Sequence, residues 1–431
     1  MSVLSRKRSA SRIHVTSRMP VGAKPAVSDR NSSFGRRSAR AGSHVDRRVA
    51  VAATVVVVAA LVVGASATTA AIPQFTPITA SVVAAPVPVR ATDGRRHLVY
   101  EVLVQNTTDA PVEMQSLAVR ANGRALLAFP GAELAAVMTT AHGHTSTLGP
   151  SQGATIWMDV VLRRGRPVPR ALAHRLTARV SAPSGESATY TFDGARTPVR
   201  PRPARSIAPP LRGGPYLNFN GCCGLSPHRT AMAAVDGTQH GLQRFAVDFI
   251  RIDNLGRAAA GDLTRNENFF TFGEPVYAVA DGRVVRARDD LPDIPPLNEP
   301  PVSAFTTETT LGNNIGLTLR GGQYALYAHL KRGSIRVHAG QRVRRGQMLA
   351  RVGNSGQTGG SHLHFQLNDG PSPVASNSPP FVVRQFTLTG TVGNVEEFLT
   401  GAASADVRRL NPPSPRRGQL PLHATVVRFP G

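Results

Sequence analysis

A glycine-rich turn that leads into two alternating histidines is the feature that most constrains the fold of this chain. The stretch reads GNSGQTGGSHLHFQ and begins at Gly353. If its second half is a β-strand, its side chains alternate between two faces. His362 and His364 then lie on one face, and Leu363 and Phe365 point the other way, into a core. Two imidazoles on one strand face can bind a metal, or one can bind it while its neighbour transfers protons.

This spacing alone does not establish a metal site. His142 and His144 have the same spacing in a stretch of small residues. A pair of exposed histidines is therefore an alternative interpretation of the pattern, and other parts of the chain have to decide between the two.

The N-terminal residues indicate export from the cytoplasm. Residues 1–48 are rich in Ser, Arg and Gly, which predicts a basic, disordered leader. Residues 49–67 are uncharged and follow Arg47 and Arg48, as expected for the core of a signal peptide or for a membrane anchor. Both interpretations place residues from 68 onward outside the cytoplasm.

The basic composition raises the question of a nucleic-acid partner. The formal net charge is +24 over 431 residues, and basic chains can bind nucleic acid. However, the sequence has no helix pattern suited to a DNA groove and no stacking aromatics between the basic residues. We therefore expect no nucleic-acid partner, but an Arg-rich surface that faces an anionic polymer or anionic lipid.

Turn signals divide the remaining chain into two β-rich parts. Residues 74–196 have short apolar runs and an Asn-Gly hairpin signal at Asn122, which predict an immunoglobulin-like β-sandwich. Residues 197–213 are a Pro/Arg-rich linker, expected to be semi-extended and exposed. Residues 214–390 again contain strand patterns and predict an antiparallel β-sheet domain with a groove. Residues 391–431 form a C-terminal extension.

Within the second part, strands and hairpins can be assigned from alternation and turn residues. The run at 245–252 predicts a strong strand that Asp248 interrupts. Residues 276–280 and 283–287 flank an Asp-Gly turn and predict a first hairpin. A second hairpin is predicted after residue 313, where two apolar runs flank Gly-Gly.

Four further residues of this part are candidates for a metal site: His228, His240, Asp248 and His329. Catalytic zinc sites use three protein ligands and keep a position for water, and two histidines with one carboxylate are a suitable set. An aspartate in an apolar strand is costly to bury without a partner. A metal would remove that cost, and so would an ion pair with a residue such as Arg244.

The two cysteines are adjacent, at Cys222 and Cys223. A disulfide between neighbours is strained, although an oxidising compartment can still form it. They lack the spacing of a zinc finger, so we do not count them as ligands.

Four stretches occur in the order PVYAVADGRVV, YALYAHL, HAGQRVRRGQMLARVGNSG and SHLHFQL. They closely resemble the M23 (lysostaphin/LytM-like) zinc metallopeptidases, and the resemblance covers roughly residues 214–386. It implies a β-sheet enzyme that cuts peptide cross-links of bacterial peptidoglycan with one zinc ion per chain. It further implies that Asp248 and His364 are zinc ligands. His362 and the YAHL histidine, His329, would act in catalysis.

The first zinc ligand is where this sequence departs from the usual family pattern. That pattern places a histidine four residues before the aspartate, where this chain has Arg244. Some members share the NGCCG, HR and QRFA-x-D segments of this chain, and in those we take the histidine of the HR pair as the ligand. The resemblance therefore points to His228, with His240 as the rival candidate and a degenerate or differently completed site as the remaining alternative. Val235-Asp236-Gly237 predicts a hairpin turn, which would place His228 on a strand beside Asp248.

The sequence thus predicts a secreted or membrane-anchored zinc endopeptidase that faces the cell wall and cleaves peptidoglycan peptides. A different class stays open, because some relatives keep the fold, lose the metal and activate other wall hydrolases as regulatory or binding modules. The presence of the aspartate and the three later histidines favours an enzyme. A periplasmic scaffold for a non-wall protein is a third interpretation, and the oligomeric state is not indicated.

Overall fold

The structure is a computed structural model that describes residues 73–182, 184–395 and 404–431. All of them belong to one compact unit. The predicted leader and apolar run, residues 1–67, lie outside the described residues. Within the described ranges, no helix is long and apolar enough to cross a bilayer.

The N-terminal part consists of antiparallel strands and one short helix. In chain order these are β1 (Ile78–Val82), β2 (Val89–Arg90), β3 (Arg96–Asn106), β4 (Val112–Ala121), β5 (Arg124–Pro130), α1 (Gly131–Ala136), β6 (Met138–Thr140), β7 (Gly143–His144), β8 (Thr147–Leu148), β9 (Gly153–Leu162), β10 (Ala171–Ser181) and β11 (Ser187–Pro198). One sheet has the order β1-β3-β9-β6-β7 with β2 beside β3, and the other has the order β11-β10-β4-β5 with β8 beside β4. Their buried side chains form one core, so this part is a two-layer sandwich. Its immunoglobulin-like character stays a prediction.

The strand β3 is buried on both faces, which explains its nearly continuous apolar sequence. Leu98 and Tyr100 enter the core between the two sandwich sheets. Val99 points the other way and joins the core of the C-terminal sheet. Period-two alternation therefore gives β3 two apolar faces because each face packs on a different layer. The predicted Asn-Gly hairpin is confirmed: Asn122 and Gly123 have φ of 48° and 77° between β4 and β5.

The C-terminal part is built around one large sheet. Its elements are β12 (Arg205–Ile207), β13 (Gly213–Phe219), α2 (Pro227–Thr230), β14 (Met232–Val235), β15 (Thr238–Gly241), β16 (Val247–Arg251), β17 (Pro275–Tyr277), β18 (Gly282–Arg288), β19 (Asn313–Leu319), β20 (Gln323–Leu330), β21 (Arg342–Val343), β22 (Met348–Arg351), β23 (Leu363–Asn368), β24 (Phe381–Val392), β25 (Val407–Gln419) and β26 (Thr425–Phe429), with 3₁₀ turns at Asn266–Asn268 and Val302–Ala304. The sheet order is β12-β24-β26-β13-β16-β23-β20-β19-β18-β21, with β25 beside β24. Two ribbons, β14-β15 and β17-β22, stand apart from it. The predicted mainly β fold is confirmed.

One of the two predicted hairpins is wrong. The pair β19 and β20 is a hairpin as expected. However, β17 does not pair with β18 across the Asp-Gly turn, but with the distant β22. The buried Val276 and Ala278 need backbone partners, and residues 346–351 supply them. The Asp281 turn instead directs the chain into the large sheet, where β18 pairs with β19.

Segments outside the central strands contribute to the large sheet as well. In the predicted linker, residues 197–213, β12 pairs with β24, and Ile207 and Leu211 are fully buried. The prediction that this stretch is exposed is therefore wrong at these residues, because their apolar side chains pack into the core of the large sheet. In the C-terminal extension, β26 lies between β24 and β13 and pairs with both. The domain boundaries given by the sequence remain predictions.

A buried ion cluster joins the sandwich to the C-terminal part. Glu101 of β3 is fully buried and contacts two guanidiniums, those of Arg229 and Arg244. Burial opposes ionisation of Glu101, but Arg244 and Arg229 lower its pKa to about 2. A buried carboxylate needs such partners to stay charged, so the sandwich and the C-terminal part are tied at this point.

We expect β26 to be essential for stability. Val427 of β26 is fully buried, so Val427→Ala should lower the free energy of unfolding by about 2–3 kcal/mol. Val285 of β18 is 44% exposed, so Val285→Ala should cost about 0.5 kcal/mol or less. Urea unfolding of the full chain measures both, and equal losses for the two variants would contradict the placement of β26 in the sheet.

Candidate metal centre

Two neighbouring strands place an aspartate and a histidine side by side. Asp248 of β16 lies directly opposite His364 of β23 in the antiparallel register. Residues in such positions point to the same face of a sheet. The flanking Val247 and Phe249 point into the core of the large sheet, as strand alternation requires. Asp248 and His364 therefore project together from the opposite face.

A short helix brings another histidine to this face. His228 lies in α2, and not on a strand as the sequence suggested. The hydroxyl of Ser226 accepts a hydrogen bond from the backbone N–H of Arg229 at 3.2 Å, and Pro227 begins the helix. Serine at the N-cap and proline at the first helical position favour a helix start, so the local sequence explains why the chain turns into a helix here.

His228, Asp248 and His364 converge on one point. One possible ligand atom from each lies within 4.8 Å of the others, and all three residues are buried. Nε2 of His228 is 3.3 Å from Oδ2 of Asp248, and Nδ1 of His364 is 3.0 Å from Oδ1. Asn220 donates from Nδ2 to the same Oδ2 at 2.9 Å. Two imidazoles and one carboxylate form the donor set of a catalytic zinc site with a position left for water.

The side chain of Gln366 fixes which nitrogen of His364 carries hydrogen. The Gln366 amide nitrogen donates to the carbonyl of Leu242 at 2.9 Å. Its Oε1 therefore faces Nε2 of His364, at 2.9 Å. Because Oε1 can only accept, Nε2 donates, and the neutral ring presents a lone pair at Nδ1 towards Asp248. In this tautomer Nδ1 and the facing carboxylate oxygen can both be ligands of one ion, so a metal ion fits this donor set.

Two more histidines lie beside the cluster. Nδ1 of His362 donates to the carbonyl of Gly360 at 2.8 Å, and its Nε2 is 3.4 Å from Oδ1 of Asp248. Nδ1 of His329 donates to the carbonyl of Ser355 at 2.8 Å. The two ring centroids are 4.8 Å apart. Nδ1 of each ring is thus fixed by a backbone carbonyl, Nε2 of His362 faces the Asp248 carboxylate, and Nε2 of His329 is left for proton transfer or hydrogen bonding.

The glycine-rich turn that supplies Ser355 is packed against the chain without room for side chains. A Cβ at Gly353 would lie 2.3 Å from the backbone nitrogen of Lys331. At Gly356, whose φ is +82°, a Cβ would lie 2.3 Å from another backbone nitrogen. His329 itself has φ of +59°. Such left-handed backbone is uncommon outside glycine and concentrates at functional sites.

Burial and neighbouring charges shift the pKa values of four cluster members in different directions. Burial lowers the pKa of His228 to about 4. Burial, together with His362 and His364, holds the pKa of His329 well below its ordinary value. Burial opposes ionisation of Asp248, but His228 and His362 hold its pKa well below the usual range. Burial also acts to lower the pKa of His362, yet the Asp248 carboxylate raises it above the ordinary value.

Two alternatives from the sequence are not supported. The guanidinium of Arg244 does not pair with Asp248, because it binds Glu101. His240 lies in β15, and no metal-type grouping within the described residues includes it. His228 therefore takes the place next to Asp248.

A second grouping, His97, Asp159 and Cys223, also has its candidate atoms close together. However, the sulfur of Cys223 forms a disulfide with Cys222. Nδ1 of His97 is 3.0 Å from Asp159, and its Nε2 is 3.2 Å from Asp93. Because these atoms are already engaged, this grouping is the weaker metal candidate.

The other His-x-His pair differs in its surroundings. His142 and His144 are both exposed, and neither belongs to a metal-type grouping among the residues that the structure describes. The two pairs have the same spacing. His362 and His364, however, both contact the buried carboxylate of Asp248.

Sequence reasoning missed three side chains that support the site. Gln366 lies two residues after His364, so strand alternation could have identified it. Asn220 and Glu101 gave no comparable signal, since each acts on a residue far away in the sequence.

Part of the chain matches the model of a known protein family. Residues 268–376 match Peptidase family M23, a range that contains His329, His362 and His364 but begins after Asp248. Glycyl-glycine endopeptidase ALE-1 of Staphylococcus capitis is 31% identical over 117 residues, which are 26% of this chain and 27% of that protein. The match thus spans about a quarter of the relative's length.

Solved structures of similar proteins align with low scores. The catalytic domain of lysostaphin from Staphylococcus simulans is 21% identical, covers 39% of this chain and 86% of that chain, and has a TM-score of 0.21. A zinc-containing peptidase from Vibrio cholerae is 16% identical, covers 68% of this chain and 83% of that chain, and has a TM-score of 0.22.

The assignment of His228 over His240 can be tested by metal content. His228→Ala removes a buried imidazole beside the carboxylate and should weaken zinc binding by more than about 100-fold, beyond the loss for residues that only orient ligands. His240→Ala should bind zinc like the unmutated chain. Zinc per chain after dialysis against a weak chelator measures both. Zinc loss in His240→Ala with retention in His228→Ala would reverse the assignment.

Proposed function

We propose that the chain is a zinc-dependent endopeptidase that hydrolyses peptide bonds of bacterial peptidoglycan. The match of residues 268–376 to Peptidase family M23 supports this proposal. The observation that carries the proposal is the convergence of His228, Asp248 and His364, with the imidazoles of His329 and His362 beside them. The named activity of the curated relative, a glycyl-glycine endopeptidase, is consistent with a peptide substrate.

His228 through Nε2, Asp248 through a carboxylate oxygen and His364 through Nδ1 would hold one zinc ion. When bound, the ion would polarise the scissile carbonyl and acidify a water molecule. Gln366 keeps the His364 ring in the tautomer that leaves Nδ1 free. Asn220 orients the Asp248 carboxylate by donating to Oδ2.

The two remaining histidines suit opposite roles in proton transfer. His329 has a lowered pKa, stays neutral, and can accept the proton of the attacking water at Nε2. His362 has a raised pKa and can donate from Nε2 to the developing oxyanion or to the leaving amine. Neighbouring groups whose pKa values are pushed apart are the pattern of an acid–base pair.

We also propose that the protein works outside the cytoplasm, secreted or anchored through residues 49–67, with peptidoglycan peptides as partners. The uncharged run after Arg48 supports export. The disulfide between Cys222 and Cys223 is consistent with an oxidising compartment.

Activity and metal binding should separate in variants of the proton-transferring histidines. His329→Ala and His362→Ala remove no ligand, so both should keep zinc. Their hydrolysis of purified peptidoglycan should fall by about 10²–10⁴-fold, the usual contribution of general acid–base groups. The measurement is release of new amino groups together with zinc per chain. The exposed His338 provides a control, since His338→Ala should keep both properties.

A non-catalytic role is the outcome that opposes this proposal. If the unmutated chain holds one zinc ion but releases no amino groups from peptidoglycan, the protein is a regulatory or binding module of the LytM type. If His362→Ala loses zinc as well, His362 is a ligand and not a proton donor.

A further inference from the structure

The two chain segments that carry His228 and Asp248 are held by one carboxylate of the sandwich. Arg229 follows His228 directly, and Arg244 precedes Asp248 by four residues. Both guanidiniums contact Glu101, which lies on β3. In each case the arginine belongs to the same short segment as the metal-site residue.

Each of the two guanidiniums makes several contacts with β3 or its neighbour β9, which restrict the movement of the arginine relative to the sandwich. Nε of Arg244 donates to both oxygens of Glu101, at 2.8 and 3.0 Å, and its Nη2 also contacts Oε2. Nη1 of Arg229 contacts Oε1, and its Nη2 donates to the backbone carbonyls of Tyr100 at 2.9 Å and Met158 at 3.3 Å. Bidentate Arg–carboxylate contacts fix direction as well as distance.

The cluster is enclosed, which makes its geometry hard to replace. Glu101 is 0%, Arg229 3% and Arg244 6% exposed. Water cannot substitute for a missing partner at such depth, and an arginine left without its carboxylate is an uncompensated buried charge. Loss of the carboxylate would therefore force both arginines, and the segments that carry them, to rearrange.

We infer that the N-terminal sandwich forms part of the metal site, with Glu101 as the positioning residue that sets α2 and β16 at the separation needed for His228 and Asp248 to share one ion. The inference rests on the proposed function only in taking zinc as the ion. It assigns to the sandwich a role in assembling the centre.

The competing interpretation is that Glu101 only stabilises the fold. The positioning role and the stabilising role predict different zinc affinities for a variant whose stability is lowered. A stabilising residue, once replaced, leaves the folded fraction with a normal site. A positioning residue leaves a folded protein with misplaced ligands, and weakened binding persists far below the melting temperature.

The test uses the full chain and competition for zinc with a chromophoric chelator, well below the melting temperature of each variant. Glu101→Gln keeps the shape and removes the charge. It should bind zinc about 10–100-fold more weakly, the range for residues that orient metal ligands. Arg244→Lys keeps the charge but loses the bidentate contact, and it should weaken binding by a smaller factor, still above about threefold.

Met114 supplies the matched control. It is fully buried between the sandwich sheets and touches neither arginine segment among the contacts described. Met114→Ala should lower the urea midpoint markedly while the zinc affinity stays within about twofold of the unmutated chain. Comparable weakening of zinc binding in Met114→Ala would overturn the inference.

The outcomes separate this inference from the proposed function. Zinc affinity unchanged in Glu101→Gln overturns the inference. If Glu101→Gln does not fold, Arg244→Lys decides: unchanged affinity overturns the inference and weaker affinity supports it. An unmutated chain that binds no zinc contradicts the proposed function itself, whatever the variants do.

Discussion

A buried carboxylate between two guanidiniums ties the layers of this protein together. Glu101 is in the sandwich, and Arg229 and Arg244 belong to the part that carries the metal-type cluster. Burying three charged groups is unfavourable unless each is paired. The alignment of β3 against the large sheet is therefore restricted to positions in which both arginines reach the same carboxylate. This constraint also limits where α2 and β16 can lie.

The same contact involves the position at which this sequence differs from the M23 pattern that it resembles. Position 244 holds an arginine where that pattern has a histidine, and the side chain extends to Glu101 and not to Asp248. The vacant place beside Asp248 is filled by His228 from the helix α2. Arg244 is thus a partner of Glu101, and His228 is an imidazole beside Asp248.

Local sequence patterns predicted the parts of the structure that depend on neighbours in the chain. Alternation identified β16 and placed Leu363 and Phe365 in the core, and the Asn-Gly signal located the β4–β5 turn. The pairing of β17 with β22 could not be predicted in this way, because nothing in a Val-rich run specifies which distant strand will bind it.

At the site, too, local patterns predicted only those residues whose role depends on neighbours in the chain. His362 and His364 were found from period-two spacing, and Gln366 could have been. The helix that carries His228 was not predicted, although Ser226 and Pro227 are a start signal, because the turn signal at Asp236-Gly237 favours a strand on either side of it. Glu101 is 143 residues from Arg244, and a single glutamate in an alternating strand looks like an ordinary solvent-facing residue.

The most direct test of the account is X-ray absorption spectroscopy at the zinc edge on the full chain with one equivalent of zinc. The account predicts nitrogen and oxygen neighbours only, at about 2.0–2.2 Å, with the multiple-scattering signature of two imidazoles. Sulfur at about 2.3 Å would place the ion at the cysteine pair, and a shell with fewer than two imidazoles would contradict the assignment of His228 and His364.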